Sequence, residues 1–107
     1  MKVENLKNFK RGWFLGNFEP SIVRTKDFEV GVLTHLENEN WPNHIHKIAI
    51  EINVLLEGKM IINERIIHEN DIFVILPGEE SRTKFLTDCK VLVIKVPSVI
   101  GDKYEVV

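Results

Sequence analysis

Apolar and polar positions alternate in short runs along most of the chain, and turn residues recur every eight to twelve positions. That pattern predicts strands and few or no helices. Phe28 to Leu36 alternates as a strand. Ile48 to Leu56 is apolar on both faces except at Glu51 and Asn53, as expected of a strand covered on both sides. Gly58-Lys59 turns the chain, and Met60–Ile62 and Arg65–Ile67 flank a second turn at Asn63-Glu64. Asn70-Asp71 opens Ile72–Leu76, which stops at Pro77-Gly78. Ser81–Leu86 and Val91–Val96 follow, and Pro97 ends the last run because it cannot donate to a ladder. An earlier strand is expected at Ile22–Thr25. No stretch keeps a helical period beyond two turns, so the chain is all-β, a sandwich or barrel.

The ends are less regular. In residues 1–12, Leu6 and Phe9, with Trp13 beyond, make at most a weak apolar face, compatible with a short helix or an irregular arm. Trp13, Phe14 and Phe18 lie around Gly12 and Gly16. They read as an arm plugging one end of a barrel, with an aromatic pocket wall as the alternative. This divides one domain, 1–107, into an arm (1–20), a barrel (21–97) and a tail (98–107). The polar tail is expected to pack across the outside.

At 107 residues the chain is long enough for one core. A net charge of −2 offers no basic surface for nucleic acid. No apolar run reaches a membrane span, and the N-terminal residues carry no apolar signal core. The single Cys89 excludes an internal disulfide and fits a reducing cytoplasm. It reads as a structural thiol, and His68 as a solvated loop histidine.

The chemistry concentrates between Asn43 and Gly58. His44 and His46 are two apart, so in a strand both imidazoles share a face. Glu51 follows. Two neutral imidazoles and a carboxylate suit a divalent first-row metal (Fe, Mn, Ni or Zn) with positions left open for substrate. The spacing H-x-H-x4-E-x6-G resembles the first signature of the cupin superfamily, with all fixed positions present. The resemblance covers roughly residues 28–96 and implies a single small jelly-roll β-barrel.

The family's second signature runs from a Gly-Asp pair through an apolar strand and a Pro-Gly turn to a final metal-binding His. Here it matches Asn70 to Ser81, with Asn70 in place of the Gly and Ser81 in place of the His. Three outcomes follow. Metal is held by His44, His46 and Glu51 alone; or His35, on the preceding strand, adds a fourth donor; or the site has lost its metal and binds a ligand by hydrogen bonds. Asn53 shares the face of Glu51, and Thr83 that of Ser81, so Asn53, Ser81 and Thr83 are candidate substrate contacts, with Phe85 as a floor. Glu79, Glu80 and Arg82 read as a solvated rim.

The expected function is that of a small cupin holding a divalent metal and a small polar ligand, sugar-like or keto-acid. The metal would act as a Lewis acid in isomerisation, epimerisation, lyase chemistry or dioxygenation. The alternative is a non-catalytic, dimeric small-molecule-binding module. A purely structural dimer fits less well, because Glu51 among apolar neighbours is costly unless paired. A homodimer is expected, since one core can bury only one face of the Ile48–Leu56 strand and the other must be covered by a partner or by the N-terminal arm.

Overall fold

A computed structural model describes residues 1–106; Val107, the end of the expected tail, lies outside them. The described residues contain strands and one 3-10 turn, Leu6–Asn8, capped by the Asn5 side chain. The strands are β1 (Trp13–Leu15), β2 (Glu29–His35), β3 (His44–Ile45), β4 (Ile50–Glu57), β5 (Met60–Ile62), β6 (Arg65–Ile67), β7 (Ile72–Ile75), β8 (Thr83–Phe85), β9 (Cys89–Val96) and β10 (Tyr104–Glu105). They form a five-stranded sheet ordered β1-β2-β9-β4-β7, a three-stranded sheet ordered β6-β5-β8 and the pair β10-β3. All pairings between these strands are antiparallel. The result is the all-β jelly roll that the strand pattern and the signature implied.

Period-2 burial builds the core between the two larger sheets. Leu55, Ile75, Val91 and Val93 face inward from one, and Met60, Ile62, Ile67 and Phe85 from the other. Cys89, at the start of β9, is buried in the same cluster, with its Sγ near the carbonyls of Lys59 and Thr87.

Local chemistry sets the turns. Asn63 and Glu64 both take positive φ between β5 and β6, which is the backbone a two-residue hairpin turn needs. Asn70 takes the left-handed conformation expected of a residue standing in for Gly (φ 72°). Gly31 has a different reason to lack a side chain. The Trp13 ring of β1 lies where its Cβ would project, 2.7 Å away, so the bare backbone lets the arm dock on β2.

Two expectations are corrected. Ile22–Thr25 is not a strand; Arg24 alone forms a bridge there, to Gly16. The Ser21 hydroxyl accepts from Gly16 N–H and donates to the Val23 carbonyl, which coils the segment. The tail does not simply cross the outside either. Residues 104–105 pair with β3, and Asp102 is buried against the segment 47–49.

Candidate metal centre

The site forms where β3, β4 and the tail meet. His44 opens β3, and Glu51 and Asn53 follow on the inward face of β4. The rings of His44 and His46 lie 5.0 Å apart, centroid to centroid. One ligand atom from each of His44, His46 and Glu51 lies within 4.8 Å of the others. The structure therefore brings together the three residues that the spacing grouped. His35 is outside this group: its Nδ1 is 2.7 Å from Glu39 Oε2, and its ring stacks on Phe85 at 4.2 Å. The bond from His35 holds the Glu39 carboxyl below its ordinary range.

Each imidazole is oriented by a backbone carbonyl. His46 Nδ1 bonds the Asp102 carbonyl, and His44 Nδ1 lies 3.2 Å from the Pro42 carbonyl. A carbonyl only accepts, so both Nδ1 atoms carry the proton and both Nε2 lone pairs are left free. His46 Nε2 is buried and has no hydrogen-bond partner; Glu51 Oε1, its neighbour, is 3.7 Å away. An orphaned lone pair in a buried polar site is costly unless something accepts its electrons. A divalent cation does so, and carbonyl-oriented imidazoles are the usual arrangement of such ligands.

Electrostatics favour the ligating forms. Burial pulls the His44 pKa down, against the Pro42 hydrogen bond, and Lys103 pulls it further, so the neutral ring is favoured. Burial pushes the Glu51 carboxyl up, but the Lys95 ammonium opposite it on β9 pulls it down, and the carboxyl lies below its ordinary value, which favours the ligating carboxylate.

Asp102 anchors the arrangement. Its carboxylate accepts from the N–H groups of Lys47, Ile48 and Ala49, at 2.9, 3.1 and 2.9 Å. Burial would raise its pKa, but these three donors hold it below the ordinary value. Sequence reasoning found no role for Asp102, because a lone aspartate in a polar tail carries no spacing signal.

The second signature's strand brings Ser81 opposite His44. Their backbones exchange hydrogen bonds of 2.8 and 3.3 Å, and Ser81 is almost fully buried. Ser81, Thr83 and Asn53 line one cavity of about 150 Å³ with His44, Glu51 and Phe85. Trp13, Trp41 and Lys95 also line it; only Trp13 was anticipated, as the alternative reading of the arm. Lys95 was legible in principle, since it follows Val91 and Val93 on the inward register of β9. His68 and Arg82 are exposed, as a loop residue and a rim residue should be.

The architecture has close counterparts among solved structures. An uncharacterised protein with a double-stranded β-helix domain from Klebsiella pneumoniae superposes with a TM-score of 0.72 at 13% identity, over 97% of this chain and 90% of that one. A cupin-2 domain protein from Shewanella frigidimarina does so at 0.55 and 19%, over 70% and 76%. The chain has the cupin fold. The DMSP lyase DddQ from Ruegeria pomeroyi shares it at a TM-score of 0.73 and 16% identity, over 87% of this chain; the chain spans about half of that enzyme's length (49%). No family model and no curated protein matches the sequence. At these identities the likeness concerns the cupin fold alone.

Proposed function

We propose that this cupin fold holds a divalent first-row metal (Fe, Mn, Ni or Zn) through His44, His46 and Glu51 and presents it to a small polar substrate. The observation that carries the reading is the buried, unpartnered Nε2 of His46, with its Nδ1 committed to the Asp102 carbonyl. Bound there, the metal would supply Lewis acidity toward substrate oxygens; isomerisation, epimerisation, lyase chemistry and dioxygenation can all use such a centre. The protein's own residues do the rest. The Pro42 and Asp102 carbonyls fix the two rings. Asn53, Ser81 and Thr83 offer polar contacts to a sugar-like or keto-acid substrate, and Trp41 and Phe85 give the cavity aromatic walls. The reading includes a homodimer and a cytoplasmic setting. The second rests on the free thiol of Cys89; no helix among the described residues is long and apolar enough to cross a membrane.

Elemental analysis of untagged protein tests the centre. Wild type should carry about one metal per chain, and His44→Ala or Glu51→Ala should lose it, because three ligands leave none to spare. Stoichiometric metal in both variants would exclude this site. A metal-free wild type that still binds small molecules would instead make the protein a non-catalytic binding module.

A further inference from the structure

Three cations gather at the cavity from distant parts of the chain. Arg11 comes from the arm, Lys95 from β9 opposite Glu51, and Lys103 from the tail beside Asp102. Among the described residues none of them forms an ion pair; the Lys and Arg ion pairs involve Lys2, Arg24, Arg82 and Lys90. Each lies instead over an indole face. Lys95 Nζ is 5.0 Å from the Trp13 ring, Lys103 Nζ 4.3 Å and Arg11 Cζ 5.9 Å from that of Trp41. Cation–π contact positions such groups without neutralising them.

The charge is unbalanced. Glu51 is the one acidic residue lining the cavity, and it belongs to the metal-binding set. Partial burial and repulsion from Lys95 and Arg11 lower the proton affinity of Lys103 against the opposing pull of Glu51 and Glu105, so the three cations sense one another. A second observation points the same way. The Asn53 side chain is 4% exposed and lines the same cavity, and its Nδ2 has no acceptor. A buried donor without a partner calls for an oxygen from outside the protein.

We infer that Arg11, Lys95, Lys103 and Asn53 form a receptor for a carboxylate, so that the ligand of this site is a small organic acid and not a neutral sugar. A cavity of about 150 Å³ admits a molecule of roughly six heavy atoms. This deepens the proposed function by choosing between its two substrate classes, and it rests on that reading only in placing the acid beside the metal ligands. Trp13 and Trp41 serve as anchors that hold the cations at the cavity.

The same two indoles provide the test, since they are the chain's only tryptophans. Tryptophan fluorescence is titrated with lactate and with lactamide, its neutral isostere, and metal content is measured in parallel. Wild type should respond saturably to lactate and at least about tenfold more weakly to lactamide, on the scale of a charge-assisted contact. Compared with wild type at equal metal occupancy, Lys103→Gln and Lys95→Gln should each weaken lactate binding by about tenfold, whereas Lys103→Arg should retain the preference for the acid. Equal affinity for lactate and lactamide, no saturable response to lactate, or wild-type binding in both Gln variants would overturn the receptor. Metal-loaded protein that fails to discriminate would sink the receptor alone. Metal-free protein that still prefers lactate would sink the metal reading and leave the receptor standing.

Discussion

His46 has different surroundings at its two ring nitrogens. Nδ1 is held by the Asp102 carbonyl, while Nε2 is buried without a hydrogen-bond partner and faces Glu51. Ser81 occupies the matching place across the pair of bridged backbones, opposite His44 and against the same cavity. A serine hydroxyl is a weak ligand for first-row metals, so the position is open to substrate. Ser81→His should add a nitrogen donor there and tighten metal binding by about tenfold or more. Substrate would then have to displace that ligand, so turnover should fall as affinity rises. Competitive chelator titration of wild type against the variant reads the first effect. Equal affinities would mean that residue 81 does not reach the metal.

The tail is the element whose importance is least visible in its composition. It contributes one short strand, yet Asp102 satisfies three consecutive backbone donors between β3 and β4 and its carbonyl orients His46. Removing the carboxylate leaves those donors without their acceptor, the Ala49 N–H in a buried place and those of Lys47 and Ile48 in partly buried ones. Asp102→Ala should therefore destabilise the fold by about 3 kcal/mol, the scale of hydrogen bonds to a charged acceptor. Asp102→Asn, which keeps one oxygen, should lose less. Urea denaturation measures both, and metal affinity should fall in the same order because the segment carrying His46 loosens. A variant as stable as wild type would show that water replaces the carboxylate without loss.

At the scale of the molecule, one face of the five-stranded sheet is uncovered. Ile72, Val74 and Leu76 are 67%, 47% and 57% exposed, and Ile50, Leu56 and Val96 about 40%. The arm does not shield them, since β1 lies at the edge of the sheet opposite β7. An apolar patch of this kind is characteristic of an association surface, and a second copy of the chain is the cover proposed for it. Light scattering at tens of micromolar, a range in which about micromolar association is populated, should give a dimer. Ile72→Glu with Leu76→Glu should give a folded monomer. A monomeric wild type would remove the dimer from the reading.

Much of this was legible in the sequence, for reasons that differ by feature. Strand alternation depends only on neighbours along the chain, so β2, β4, β5, β6, β7 and β9 could be read directly. The same holds for the shared face of Glu51 and Asn53 and for the left-handed turn at Asn70. The grouping of His44, His46 and Glu51 was readable because the spacing to Glu51 and Gly58 matched a known signature, although His46 lies one residue beyond β3. Ile22–Thr25 was misread because its apolar residues fit a strand while the Ser21 hydroxyl bends the backbone instead. Tertiary structure alone decided what comes from far apart in sequence. The Asp102 carbonyl meets His46 across more than fifty residues, and Arg11, Lys95 and Lys103 converge from both ends of the chain and its last long strand. No local pattern encodes such meetings, because they are fixed by which strands pair and in what register, and that is settled only when the whole core closes.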